Sequence, residues 1–249
     1  MEKRTDKNSY TIFFAIGMVI VVGSILAFMA SSLKPTIDEN KRLEKQQNIL
    51  YAMGVNENEG NSATFVSTEK APELFKQYIT KQLIIQGDNV TEDDQAYLID
   101  VKKEQASAKA GNERCLPLFV GEKDGKTFYI APIRGKGLWD AIWAYVALDE
   151  NMVVLGAYFD HKQETPGLGA NIKQRYFMDD FIGENLKSNG SFKGITVAKG
   201  NADPKNLDKT DNEVDAIAGA TITGDGVSAM IRSDLRLYVP YFNNLKSNN

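Results

Sequence analysis

Residues 116–159 read LPLFVGEKDGKTFYIAPIRGKGLWDAIWAYVALDENMVVLGAYF, and this stretch decides the fold. Leu116–Val120 and Thr127–Ile130 are short apolar runs separated by GEKDGK, a Gly-containing turn, so together they predict a hairpin. Ala144–Leu148 and Val153–Phe159 flank Asp149-Glu150-Asn151 in the same way. Upstream, Pro72 opens ELFKQYITKQLII, in which Leu74, Phe75, Tyr78, Ile79 and Leu83 recur at helical spacing. Downstream, Ile172–Leu186 predicts a helix burying Ile172, Tyr176, Phe177, Phe181 and Ile182, and Ile195–Lys199 predicts a strand. After the polar loop GNADPKNLDKTDNE, Gly226–Val239 places Val227, Met230, Ile231, Leu235 and Tyr238 on one helical stripe. Antiparallel hairpins with intervening helices predict an α+β domain.

The N-terminal part is of another kind. Thr11–Leu33, TIFFAIGMVIVVGSILAFMASSL, carries no charge and is long enough to cross a hydrocarbon core of ~30 Å. A cleaved signal peptide is the competing reading, because Ala30-Ser31-Ser32 imitates a cleavage site. Lys3, Arg4 and Lys7 precede the span and only Lys34 follows it closely, which puts the N-terminus in the cytoplasm. Pro35 ends the span, Thr36 is a candidate N-cap, and Ile37–Met53 reads as a helix leaving the membrane. The expected organisation is a cytoplasmic N-terminus (1–10), a transmembrane helix (11–33), a juxtamembrane helix and linker (34–70), and an extracytoplasmic domain (71–249).

Composition narrows the function. The 249 residues are 43% apolar and 25% charged with net charge -4, both signs being interspersed, which argues against disorder and against nucleic acid as a partner. With one cysteine, Cys115, and one histidine, His161, the chain has no internal disulfide and no usual ligand set for zinc, an iron–sulfur centre or haem. Any redox chemistry therefore requires an organic cofactor, and no catalytic residue is assigned. No G-x-G-x-x-G opens a helix after a strand, so the chain is not expected to oxidise NADH by itself. The span holds no carboxylate that would mark an ion path.

The richest segment for chemistry is VDAIAGATITGDGVS, residues 214–228. Gly219 and Ala220 remove side-chain bulk before Thr221, and Thr223, Gly224 and Gly226 follow, ahead of a helix. Small residues, hydroxyls and free N–H groups at a helix start suit a phosphate; a plain turn and cap is the alternative.

Asp215-x-x-Ala218-Gly219-Ala220-Thr221 resembles the D-x-x-[ST]-G-A-T flavinylation motif of the FMN-binding domain family, departing from it at Ala218. Glu164-Thr165-Pro166-Gly167-Leu168-Gly169 is similar to the family's E-T-P-G-L-G loop, and Gly137-Leu138-Trp139 with Tyr145-Val146-Ala147-Leu148 to its G-L-W…Y-V-A-L segment. The resemblance covers roughly residues 115–240.

It implies an FMN joined covalently to Thr221 through a phosphoester, made from FAD by a separate, metal-requiring FMN transferase for which Asp215 is a recognition or positioning residue. It also implies that Leu168, on a type II turn through Pro166 and Gly167, lies against the flavin ring. Leu138 and Trp139 are further candidates for the cofactor site, although Trp139 suits core packing equally well, beside Trp143 one helical turn on. His161 is either a proton relay or an ordinary loop histidine. The implied function is an electron-carrier subunit of an inner-membrane respiratory complex, passing electrons towards quinone, of the sodium-translocating NADH:quinone reductase type. A ferredoxin-fed Rnf-type complex is the alternative, and a membrane-anchored module that holds a phosphate noncovalently is the reading from another class.

Overall fold

The computed structural model describes residues 8–60, 62–200, 203 and 206–247. Lys3, Arg4 and Lys7, and part of the polar loop after residue 199, lie outside the described residues. The chain divides into two compact units, Met1–Arg42 and Leu43–Asn249.

Helix α1 (Asn8–Ala52) is continuous and includes Pro35, where the sequence predicts a break. Proline has no N–H to donate and so costs the bond to the Ser31 carbonyl, but its fixed φ is helical and the turns on both sides persist. In the first unit the large apolar side chains of this helix, among them Phe13, Val19, Leu26 and Phe28, are exposed. Its apolar window has a mean hydropathy of 2.7 with no residue buried, and the helix is long enough to cross a bilayer.

The second unit begins at Leu43, ahead of the expected boundary at residue 71, because Ile49, Leu50, Ala52 and Met53 belong to its core, as does Val66. After α2 (Ala71–Tyr78) come β1 (Ile79–Gln86), β2 (Asn89–Glu92), α3 (Val101–Lys109), β3 (Leu116–Lys123), β4 (Lys126–Lys136), β5 (Ala141–Leu148) and β6 (Val154–His161). These strands form a six-stranded antiparallel sheet in the order β2-β1-β3-β4-β5-β6. Both expected hairpins are present; Asp124 and Gly125, at φ 52 and 72, close the first. Trp143 thus sits in β5, half-buried against the core, not one helical turn from Trp139.

Both faces of the central strands are covered, so β4 and β5 bury nearly continuous apolar runs. Tyr51 and Phe65 pack on Tyr158 from one side. From the other, Phe177 and Phe181 pack on Phe159, and Tyr241 and Phe242 on Tyr129. Gly156 lets the end of α1 lie against β6: a Cβ there would strike the Ala52 carbonyl.

The expected helices differ from those observed where sheet pairing competes. The run from residue 73 to 85 is helical only to Tyr78; Ile79, Leu83 and Ile85 then alternate inward as β1, paired with β3. Within 172–186, only a 3-10 turn (Gly169–Lys173) and α4 (Arg175–Asp180) are helical. Beyond Phe181 the backbone bonds to the edge of β6 instead, Gly183 N–H to Val154 O at 2.8 Å and Val154 N–H to Glu184 O at 2.8 Å, and Gly183 at φ 91 keeps the chain from returning to a helical path. After the short β7 (Lys187–Ser188) and β8 (Ser191–Phe192), the strand expected at 195–199 shortens to β9 (Thr196–Val197), parallel to β10 (Glu213–Val214). Helix α5 spans Thr221–Asp234, starting five residues before the expected Gly226, and leads through a 3-10 turn into α6 (Val239–Ser247).

One buried acid makes the fold pH-sensitive. The Glu184 side chain is fully buried, accepts the Asn206 amide at 3.0 Å and lies 3.9 Å from Lys209 Nζ. Burial raises its pKa to about 7 against the opposing pull of Asn206 and Lys209. Between the ordinary value of 4.5 and 7, the native state therefore binds more protons than the unfolded one. The stability this supplies is complete below 4.5 and is lost as pH rises through 7. Glu184→Gln is expected to gain about 2 kcal/mol over the native chain at pH 9 and nothing at pH 4, read from urea melts across pH.

Candidate functional site

The motif segments meet at the N-terminus of α5. Gly219 adopts φ 70, the left-handed region, and turns the chain so that the Ala220 carbonyl accepts the first helical bond, from Gly224 N–H at 2.9 Å. Thr221 is the first helical residue, and the N–H groups of Thr221, Ile222 and Thr223 have no acceptor within the helix. The Thr221 side chain is exposed, and the helix start carries partial positive charge. Gly224 and Gly226, expected before the helix, lie inside its opening turns. Gly226 allows the helix to rest on the end of β4, since a Cβ there would strike the Lys136 carbonyl.

The loop at 164–169 is a type II turn, with Gly167 at φ 77 and Leu168 N–H bonded to Thr165 O at 3.1 Å. It carries Leu168 onto the Thr221 turn: a Cβ on Gly219 would lie 2.7 Å from Leu168 Cδ2. Trp139 is 65% exposed, and its indole N–H donates to Thr165 Oγ1 at 3.1 Å. Leu138, Trp139, Leu168 and Ile222 are thus exposed apolar side chains on the segments that meet here, and Thr221 adds an exposed hydroxyl. Such a surface suits a planar aromatic ring tethered through a phosphate.

Glu164 ties these parts together, a role that the sequence did not reveal. It is 5% exposed; its Oε1 accepts the Trp139 N–H at 3.0 Å and its Oε2 accepts the Thr223 hydroxyl at 2.6 Å. Gly137 and Gly169 make room for it, since a Cβ on either would come within 2.6 or 2.5 Å of a carboxylate oxygen. Burial alone would raise its pKa; the Thr223 hydroxyl and the backbone N–H groups of Trp139, Asp140 and Leu138 outweigh burial and hold it below the usual glutamate value. The Glu164 N–H donates to His161 Nδ1 at 3.1 Å. Burial likewise lowers the His161 pKa, so the imidazole is a neutral acceptor that orients Glu164. Thr223 is buried through this bond, unlike Thr221.

Asp215 is bonded elsewhere: its N–H donates to Asp180 Oδ2 at 2.8 Å. Burial, with the charges of Asp180 and Asp203, raises the Asp215 pKa. Ala218 is exposed, so the hydroxyl usual at that position would face solvent.

Residues 137–236 match the FMN-binding domain family, a span that takes in all three motif segments and α5. NqrC of the Na(+)-translocating NADH-quinone reductase of Vibrio alginolyticus is 28% identical over 244 residues, covering 91% of this chain and 90% of that protein. Its counterpart in Pseudomonas aeruginosa is 29% identical over the same shares. The crystal structure of NqrC from Parabacteroides distasonis superimposes with a TM-score of 0.71 at 32% identity, covering 84% of this chain and 96% of that one. This chain belongs to the NqrC family of Na(+)-translocating NADH-quinone reductase subunits. Shewanella oneidensis NqrC, at 26% identity and a TM-score of 0.66, has the same fold.

Within this family's fold, Gly219 holds both the left-handed turn and the seat of Leu168. Gly219→Ala is expected to cost about 1–2 kcal/mol from the positive φ and to displace Leu168. The thermal midpoint should fall by roughly 4 °C, measured by circular dichroism.

Proposed function

We propose that this chain is the electron-carrier subunit of a sodium-translocating NADH:quinone reductase, carrying one FMN as a phosphoester on Thr221. The observation that carries the reading is the exposed Thr221 hydroxyl at the first position of α5, two residues from the Gly219–Leu168 contact. The residues fit the group: the N–H groups of the helix start would hold the phosphate, while Leu168 and Trp139 would offer apolar surface to the ring. Bound FMN supplies the redox chemistry. Thr165, Pro166, Gly167 and Gly169 shape the loop that holds Leu168, and Glu164 fixes that loop to Trp139 and Thr223. Leu138, exposed beside Trp139, would add apolar surface for the ring, and buried Ala220 supplies the carbonyl that starts α5 beside Thr221.

Attachment requires the Thr221 oxygen to attack the FMN phosphoryl group of FAD, with AMP leaving and the hydroxyl proton passing to a base. No hydrogen bond ties the Thr221 hydroxyl to a histidine or carboxylate among the described residues, which supports a separate FAD:protein FMN transferase. Asp215, half-buried beside Asp180, is a recognition residue for that enzyme. A covalent tether keeps the cofactor where free flavin is dilute.

Residues 11–33 anchor the chain in the inner membrane, with 1–10 in the cytoplasm and the flavin domain on the periplasmic side. The other subunits of the complex deliver electrons to the flavin and take them on towards quinone. The NqrC relatives favour this complex over the Rnf type. Protein made together with its transferase is expected to show an ultraviolet-excited flavin band after denaturing electrophoresis; its absence would sink the covalent reading.

A further inference from the structure

We infer that a cationic groove beside Trp139 is the landing surface for an Asp/Glu-rich segment of the protein that exchanges electrons with this subunit, an inference that rests on the carrier reading above. The groove, about 570 Å³, runs between α3 and the adjoining ends of β4 and β5, walled by Gln105, Lys109, Arg114, Arg134, Lys136 and Trp139. Four cationic side chains line it, against two carboxylates, Asp140 and Asp234.

Both carboxylates are already committed. Asp234 takes two bonds from the Arg114 guanidinium at 3.0 and 3.1 Å, one from the Arg134 backbone N–H at 3.0 Å and one from Gln105 at 3.1 Å. Asp140 pairs with Lys162 at 2.7 Å, and that salt bridge, first among its causes, lowers the Asp140 pKa. Lys109, Arg134 and Lys136 remain. None of the three forms an ion pair among the described residues; the Arg134 guanidinium bonds Gln105 Oε1 at 3.5 Å, and its charge acts on Asp140, which is already paired with Lys162. In a chain of net charge -4, this surplus is a local exception.

The form of the surplus favours a protein partner over a small anion. Lys109 and Lys136 are exposed, the first on α3 and the second, with Arg134, on β4, so the cations are spread along an open groove and no buried fork of donors closes around one phosphate or carboxylate. Exposed charges contribute little to affinity singly, but their summed field raises encounter rates and orients partners. Trp139 joins the groove to the flavin site, since it lines the one and donates to Thr165 in the other. A partner seated here would therefore lie at the edge of the proposed flavin site.

The test uses the assembled membrane complex. Carbodiimide coupling, which joins a lysine amine to a carboxylate with loss of water, is expected to link Lys109 and Lys136 to acidic residues of another subunit, identified by mass spectrometry. Lys109→Glu with Lys136→Glu should keep the flavin band yet slow flavin reduction about tenfold or more at low salt, converging with the native rate at high salt. The milder pair Lys109→Gln and Lys136→Gln should shift the rate in the same direction by less, which guards against a folding failure of the first pair. Unchanged rates in both pairs, with the band intact, overturn the inference. So does saturable quenching of tryptophan emission by millimolar inorganic phosphate without cross-links, which assigns the groove to a small anion. A native complex that lacks the fluorescent band instead overturns the carrier reading, so the two failures are distinct.

Discussion

Thr221→Ala is expected to abolish the ultraviolet-excited flavin band on denaturing gels while leaving the circular dichroism spectrum and the unfolding midpoint nearly unchanged. The side chain is exposed and makes no hydrogen bond among the described residues, so its removal costs no packing; alanine also has the higher helix propensity. A stability change within about 0.5 kcal/mol is expected for a surface site of this kind. Thr221→Ser keeps the hydroxyl and should keep the band. The informative control is Thr223→Ala. Thr223 is the other hydroxyl of the A-T-I-T run, but it is 1% exposed and donates to Glu164 at 2.6 Å, out of reach of a transferase. Its loss should leave the band in place and cost about 1–3 kcal/mol, because Glu164 Oε2 loses its partner inside the protein. A band that survives Thr221→Ala and disappears in Thr223→Ala would move the attachment to Thr223.

The contrast between these threonines shows how far the sequence could be read. The hairpins around Asp124-Gly125 and Asp149 were legible because turn residues between apolar runs are local signals. The helices were legible only where no strand competed for the same residues. Leu74, Phe75, Tyr78 and Ile79 fit a helical period, but Ile79 onward finds backbone partners in β3, and that pairing is invisible in a single run of residues. The same holds beyond Phe181, where the edge of β6 takes the backbone. The sequence pattern puts the start of α5 five residues late, because Gly224 and Gly226 have the character of loop residues. Their purpose is contact: Gly224 packs on Val197 and Gly226 on the Lys136 carbonyl.

In the candidate site, the segments were legible and the bonds that join them were not. The turn at Pro166-Gly167 and the small residues before Thr221 follow from backbone requirements that a sequence displays. Glu164 answers no such backbone requirement. Its place in the E-T-P-G-L-G loop marks it for the site, but only the fold brings to it the Trp139 amide from the β4–β5 turn and the Thr223 hydroxyl from α5. Asp215 is the converse, prominent in the motif yet bonded towards Asp180, away from the ring surface.

Glu164→Ala should be the most destabilising single change at the site. It leaves the buried Thr223 hydroxyl and the Trp139 N–H without their acceptor and opens the space that Gly137 and Gly169 keep for the carboxylate. Breaking hydrogen bonds to a buried charge costs about 1.5–3 kcal/mol each, so a loss of about 4 kcal/mol is expected. That is a large share of the 5–15 kcal/mol typical of a whole domain. Urea melts should show a lower midpoint with an unchanged slope. Glu164→Gln separates charge from shape. The amide keeps the volume but offers one acceptor oxygen, and its NH₂ meets a donor, so an intermediate loss of about 2 kcal/mol is expected at pH 7. The pH dependence carries the sharper test. Because the folded pKa of Glu164 lies below the ordinary 4.5, the native state binds fewer protons than the unfolded state as pH falls through that region. Its stabilisation is therefore complete above 4.5 and is lost as pH falls through the depressed folded value. Glutamine does not titrate, so the gap between the native chain and Glu164→Gln should narrow below 4.5 and stay constant from pH 6 to 8. A gap that instead widens as pH falls from 7 to 3 would show that Glu164 is protonated in the native state at neutral pH, and the carboxylate would then not be what binds the E-T-P-G-L-G loop to Trp139 and Thr223.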